Sequence, residues 1–154
     1  VRAMYSIRET QDFYPLSLLY QESGLEVTPG HTPPQGTLSM LRCEDSETGE
    51  LVAVAAATLQ HRAGHFVLAH LAVVSHLQGG GLGSQLLASA EHHAKQLGAR
   101  ELWLVGKVPG FYARYQWHTV PREMAPPISR CLTCSQFQVD CFPSIMKKEL
   151  SFEV

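Results

Sequence analysis

A glycine-rich run, Gln78-Gly79-Gly80-Gly81-Leu82-Gly83, stands between an apolar strand-like segment and an amphipathic helix-like one, and no other feature of the chain restricts its fold as much. Glycine adopts backbone conformations closed to other residues, so such a run can turn a strand tightly into a helix. The main-chain N–H groups of the turn then point at one centre, and the first turn of the helix adds unpaired donors and the positive end of its dipole. That arrangement suits an anion, and a diphosphate in particular.

The register of the glycines narrows the choice. A dinucleotide fingerprint GxGxxG begun at Gly81 needs glycine where Leu86 stands, and begun at Gly79 it places Ser84 at its last position. A nucleoside-triphosphate loop needs Gly-Lys followed by Ser or Thr, and no lysine lies between Gly64 and Ala94. Upstream, the stretch from His65 to Val74 is β-branched and apolar with almost no polar alternation, as expected for an interior strand covered on both faces. Downstream, Leu82, Leu86, Ala90, Ala94 and Leu97 recur at helical spacing, with Glu91, His92, Lys95 and Gln96 between them and Gly98 closing the helix. A short strand, Glu101 to Val105, and the segment Gly110-Phe-Tyr-Ala-Arg-Tyr-Gln-Trp117 follow.

This ordered series resembles the GNAT superfamily of N-acetyltransferases, in which Gln/Arg-x-x-Gly-x-Gly/Ala follows a strand and a short helix carrying Phe-Tyr ends at Gly-Phe before a closing strand. Gln116 and Trp117 stand in place of that last pair, so the helix end is expected to be shaped differently. The resemblance implies an α/β fold with a mixed, mostly antiparallel central sheet of about six or seven strands flanked by helices, with a parallel pair at the cofactor cleft. Residues 4–154 are expected to form a single N-acetyltransferase domain.

The remaining segments read in the same sense. Tyr5 to Arg8 reads as a first strand, and Asp12 to Glu22 as a helix with Asp12 near its start and Gly24 just past its end. Thr28 to Gly36, with three prolines and two glycines, excludes regular helix or inner strand and reads as a loop, on the acceptor side if the resemblance holds. Thr37 to Cys43 and Leu51 to Gln60 read as an antiparallel pair joined by a polar turn, and Ile145 to Phe152 as a last strand.

Composition sets limits on partners. With 154 residues, 45% hydrophobic and 17% charged, the chain is long enough for one proper core. A formal charge of −2 provides no global cationic field for nucleic acid or an anionic membrane. No apolar run approaches a bilayer span, and Val1 to Tyr5 lacks the apolar core of a signal peptide, so a cytoplasmic protein starting naturally at Met4 is expected. A homodimer is left open.

The family's chemistry maps onto particular residues. Acetyl transfer from acetyl-CoA to an amine needs a neutral nucleophilic nitrogen, a polarised thioester carbonyl and a proton for the departing thiolate. By resemblance, the main chain near Leu71, Ala72 and Val73 pairs with the pantetheine arm, and one N–H there faces the developing oxyanion. The diphosphate rests on N–H groups of Gly79, Gly80, Gly81, Leu82, Gly83 and Ser84, with Gln78 as a flanking side-chain donor. Tyr112 occupies the Phe-Tyr position of the general acid, against the alternative that it packs beside the cofactor.

The base is less constrained. His70 and His65 are the candidates on the central strand. Alternation sets His70 with Leu68 and Ala72, opposite Val67, Ala69 and Leu71, which favours a core or supporting role unless a bulge reverses the face. Many relatives carry an acidic or histidine base where Val67 or Ala69 stands. Cys131, Cys134 and Cys141 form a local group that, with Cys43 or His118, could bind metal or pair. The incomplete ligand set favours structural or reduced thiols and no metal. The cysteine pattern is also similar to the tail of short N-acetylglutamate-synthase-like members. Those relatives carry an acidic residue and an arginine where Val67 and Ala69 stand, which puts glutamate as acceptor in question.

Three functions follow. The leading one is acetyl transfer from acetyl-CoA to a primary amine of a small molecule, amino acid or peptide, by direct attack in a ternary complex. The alternatives are a CoA-binding module without catalysis and a thiol- or metal-centred regulatory domain.

Overall fold

The computed structural model describes residues 5–25, 27–45, 53–79, 81–106, 108–126, 128 and 144–150. In chain order these form β1 (Tyr5–Glu9), α1 (Tyr14–Glu22), β2 (Thr37–Asp45), β3 (Ala53–Arg62), β4 (His65–Val73), α2 (Leu82–Gln96), β5 (Glu101–Gly106), α3 (Pro109–Ala113), β6 (His118–Thr119) and β7 (Ser144–Glu149). The strands make a seven-stranded sheet in the order β1-β2-β3-β4-β5-β7-β6. β1 with β2, β2 with β3, β5 with β7 and β6 with β7 run antiparallel, while β4 and β5 run parallel in register at Val67↔Trp103. This is the mixed sheet with one parallel pair that the sequence led us to expect. The chain divides into two compact units, Val1–Gln60 with Leu68–His93, and His61–Val67 with Ala94–Val154.

In the first unit, α1 begins two positions later than expected, because Asp12, one residue before the N-cap Phe13, lies outside the helix. Its Oδ1 accepts the N–H of Tyr14 at 3.1 Å, and Pro15 in the first turn supplies a helical φ without wasting a donor. Gly24, at φ +85°, ends α1: the N–H of Leu25 donates to the carbonyl of Tyr20 at 3.0 Å and that of Gly24 to Gln21 at 3.1 Å. The buried stripe Phe13, Leu16, Leu19 and Tyr20 packs on Met40 of β2, Ala56 of β3 and Ala72 of β4. Each fully buried large side chain of this stripe contributes about 1.5–3 kcal/mol. The loop after α1 is pinned by Ser17, whose Oγ accepts the N–H of Gly30 at 3.1 Å and donates to the carbonyl of Tyr14 at 2.7 Å.

α2 buries Leu82, Leu86, Leu87, Ala90 and Ala94. Leu97, expected on this stripe, lies beyond the last helical residue and is exposed, and Leu87 fills the stripe instead. Gly98, at φ +98°, closes the helix, with Ala99 donating to Ala94 at 2.9 Å and Gly98 to Lys95 at 3.0 Å.

The second unit has its own core of Val67, Trp103, Ile128 and Ile145, with Val105, Val120 and Ala125 packed against it. β7 pairs with β5 from Glu101↔Glu149 to Gly106↔Ser144, and Lys147 spans Glu101 and Glu149 at 3.6 and 3.9 Å. α3 ends differently from a glycine-closed helix, as Gln116 and Trp117 led us to expect. Gln116 itself takes φ +73°, its N–H donates to Ala113 at 3.3 Å, and Trp117 donates to Tyr112 at 3.3 Å. These are the two hydrogen bonds that close α1 and α2, made here around a residue with a Cβ. The Trp117 ring lies 5.9 Å from that of Tyr112 and provides the apolar contact that accompanies such a closure.

Candidate active site

β4 leads directly into the glycine run. After Val73 the N–H of Val74 pairs with the carbonyl of Val54 at 2.8 Å, and a single tight turn, Ser75–Leu77, redirects the chain. Gln78 is extended, and Gly79 and Gly81 both sit at φ +86°, a conformation that strongly favours glycine. A Cβ built on either would meet no atom within 4 Å, so the space over the loop is open. Gly80 lies outside the described residues.

Gly81 caps α2 with its carbonyl, which accepts the N–H of Gln85 at 3.1 Å. That leaves the N–H groups of Leu82, Gly83 and Ser84 without intrahelical acceptors at the positive end of a 15-residue helix. No acidic residue stands in the first turn to satisfy them. Buried Leu82 anchors the helix start in the core, and the Ser84 hydroxyl donates to the Gly81 carbonyl at 2.8 Å, so Ser84 offers its backbone rather than its side chain. The Gln78 amide turns back to donate to the Val73 carbonyl at 3.0 Å, which ties the loop to the end of β4. This set of main-chain donors fits a diphosphate in its charge, its open space and its lack of a competing carboxylate.

Along β4, Ala72 faces α1, while Leu71 and Val73 are half-buried. His70 shares the face of Ala72. Its ring lies 4.7 Å from that of Tyr20, whose hydroxyl is hydrogen-bonded to the Thr58 Oγ1 at 2.7 Å in the interior. Burial pushes the His70 imidazole down to about 4, so it is neutral at physiological pH, and its Nδ1 is sealed from solvent without a hydrogen bond. Its contact with Tyr20 puts it on the α1 side of the sheet, the side alternation gives it. His65, at the start of β4, sets its ring edge-on to Trp103 at 5.8 Å. Val67 is buried in the core of the second unit and Ala69 is half-buried, so neither position carries a titratable group.

Tyr112 lies on α3, 8% exposed, between the rings of Phe111 at 5.1 Å and Trp117 at 5.9 Å. A Cβ on Gly106 would come within 3.5 Å of its ring, so the glycine gives the phenol room. Burial pushes its hydroxyl up to about 12, which keeps it a proton donor throughout the neutral and alkaline range.

Sequence reasoning missed Tyr20, Thr58 and Arg42. Tyr20 and Thr58 define the surroundings of His70, and Arg42 is a buried charge on the same sheet face. Only a helical tyrosine and an arginine in an otherwise ordinary strand pattern marked them, and neither is a signal without the strand register.

Cys131, Cys134 and Cys141 lie outside the described residues, Cys43 is buried in β2, and among the described residues no group of three or more ligating side chains could hold a metal ion. No helix among the described residues is long and apolar enough to cross a membrane.

The fold recurs in known proteins. The architecture matches N-acetylglutamate synthase from Neisseria gonorrhoeae, complexed with coenzyme A and N-acetylglutamate, with a TM-score of 0.73 and 21% identity over 99% of this chain. This chain spans only 36% of that synthase. An acetyltransferase of the GNAT family from Staphylococcus aureus matches with a TM-score of 0.66 and 13% identity, covering 96% of this chain and 99% of that one. A GNAT family N-acetyltransferase from Escherichia coli, in complex with CoA, matches with a TM-score of 0.65 and 13% identity over 98% of this chain and 84% of that one. At such identities the likeness is one of fold. No curated protein matches the sequence. A family model, the acetyltransferase (GNAT) family, matches residues 2–115, from before β1 through the glycine loop to the Phe-Tyr helix. The chain therefore belongs to the GNAT acetyltransferase family.

Proposed function

We propose that residues 4–154 act as one N-acetyltransferase domain that works in the cytoplasm and moves an acetyl group from acetyl-CoA to a primary amine of a small molecule, amino acid or peptide. The observation that carries this reading is the row of main-chain donors at the start of α2, with glycines at positive φ before it and no carboxylate to compete. Family membership supports acyl-CoA as donor, and the coenzyme A present in two related structures supports the same ligand class here.

Transfer forms the C–N bond and breaks the C–S bond; the amine loses a proton and the thiolate gains one. The N–H groups of Gly79, Gly81, Leu82, Gly83 and Ser84 hold the diphosphate, so affinity comes from backbone dipoles and depends little on side-chain charge. The main chain of Leu71 to Val73 pairs with the pantetheine arm and offers an N–H to the carbonyl oxygen as negative charge builds on it. Tyr112 donates the proton to sulfur, which its raised pKa permits at any working pH, although a weaker acid gives a smaller driving force. His70 and His65 are the imidazoles of β4 considered for the amine proton; His70, held against Tyr20 with its Nδ1 sealed and its basicity lowered by burial, takes the supporting role, which leaves His65 or water as the acceptor of that proton.

A free-thiol release assay with acetyl-CoA over an amine panel tests the reading. Acceptor-dependent release is expected. Binding of acetyl-CoA with no release above background for any amine would identify a CoA-binding module without catalysis.

A further inference from the structure

We infer that Trp103 is a positioning residue: its locked indole sets the His65 imidazole at the angle from which it takes the acceptor's proton. The inference deepens the acetyl transfer proposed above, and it rests on His65 rather than water as the acceptor of that proton.

All the residues involved lie in the second unit. His65 opens β4 directly after the turn Ala63-Gly64, whose φ values of +53° and +82° bring the chain sharply round from β3. It shares a strand face with Val67, two residues on, and Val67 is the register partner of Trp103 across the parallel pair. Imidazole and indole therefore meet, with ring centroids 5.8 Å apart and planes at 75°. That is the edge-on arrangement that ring quadrupoles prefer. Among the described residues no hydrogen bond and no second ring holds the His65 side chain.

Trp103, by contrast, is fixed on its other sides. It is 5% exposed and packs with Val67, Ile128 and Ile145. Its Nε1–H donates to Oε1 of Glu101 at 3.1 Å. Lys147, its register partner on β7, sets Nζ over the indole at 5.4 Å from the ring centroid and 3.6 Å from Oε2 of the same Glu101. One carboxylate thus holds the indole through one oxygen and the ammonium lying on the indole through the other. A buried indole needs a single partner for its N–H, which Oε1 supplies; the second oxygen and the cation over the ring go beyond that need and narrow the ring to one orientation. A proton-accepting group works only when held within about 0.5 Å and 10–20° of its productive position, and the backbone alone does not hold an imidazole so closely. The locked indole supplies that constraint.

Thiol-release kinetics with the best amine of the panel, together with ring-proton NMR of His65, test this. Trp103→Leu is expected to lower kcat by on the order of tenfold with the KM for acetyl-CoA within about twofold, and Trp103→Phe, which keeps a ring edge, to recover most of the loss. The fall is expected to vanish once the imidazole is gone, so that His65→Gln and the double variant share one kcat. Should Trp103→Leu not fold, Glu101→Ala leaves the core intact and releases the lock. It is expected to lower kcat roughly threefold and to shift the His65 ring resonances, while Glu101→Gln, which keeps an oxygen for the indole N–H, restores both. An unchanged kcat in His65→Gln, a Trp103→Leu effect as large without the imidazole as with it, or His65 resonances that stay in place in Glu101→Ala overturns the inference and leaves acetyl transfer standing. No thiol release from the unmodified protein with any amine overturns the reading on which it rests.

Discussion

The glycine loop and the part of β4 around His70 follow one another in the chain but are built on opposite terms. The loop is made of main chain: Gly79 and Gly81 at φ +86° and three unpaired N–H groups at the head of α2 form it, and no side-chain hydroxyl or charge is needed. The His70 environment is made of side chains brought from α1 and β3, namely Tyr20 tilted against the imidazole and Thr58 holding Tyr20. A backbone site therefore writes itself into glycine spacing, while a side-chain site is written in the packing of distant elements. The same contrast holds for Tyr112, whose acidity is set by Phe111, Trp117 and burial rather than by any adjacent charge.

If catalysis lives in side chains and donor binding in main chain, the two are separable by substitution. Tyr112→Phe is expected to lower kcat by about 10²–10⁴-fold while leaving acetyl-CoA affinity within about twofold, as loss of a general acid would. Steady-state kinetics paired with calorimetry measures both, and an unchanged kcat removes Tyr112 as the acid.

His70 should also be visible in stability against pH. Its imidazole titrates near 4 when folded and near 6.5 when unfolded, so the unfolded chain binds the proton more tightly. The stabilisation is complete above pH 6.5 and is lost as pH falls toward 4, by up to about 3 kcal/mol. In denaturant titrations across that window the parent is expected to lose stability relative to His70→Leu as pH drops, by up to that amount; parallel curves would mean that the imidazole is solvated.

Gly81→Ala tests the loop from the other side. The space is open, so the cost is conformational strain at φ +86°, about 1–2 kcal/mol, together with a clear loss of acetyl-CoA binding. Thermal unfolding with and without ligand separates the two effects. At the end of α3 the opposite change should help. Gln116 holds φ +73°, where Gly24 and Gly98 close the other helices, so Gln116→Gly is expected to stabilise by about 1 kcal/mol in chemical denaturation.

The same division explains how much of the molecule was legible in its sequence. β4, the loop, α2, β5 and the Phe-Tyr helix were readable because apolar period, glycine position and helix closure are local signals, and Gln116 was flagged as an odd closing residue for that reason. Asp12 stands two positions before the helix, since an aspartate in the turn ahead of a helix and one in its first turn look alike in sequence. Leu97 fitted the apolar spacing of α2 but falls after the helix has stopped. The face of His70 followed from alternation, while its partner Tyr20 did not, since nothing local joins α1 to β4. Arg42 was unreadable for the same reason: its sharing of Glu44 with Arg8 exists only once β1 and β2 are in register.

The central claim, that a diphosphate is held by the main chain of residues 79–84, is tested most directly by comparing acetyl-CoA with acetylpantetheine in thermal unfolding. At a concentration 100-fold above its Kd, acetyl-CoA is predicted to stabilise the protein by about 2.7 kcal/mol, whereas acetylpantetheine, which lacks the diphosphate, has little effect at the same concentration. Equal stabilisation by the two ligands, or none by acetyl-CoA at saturation, would contradict the account.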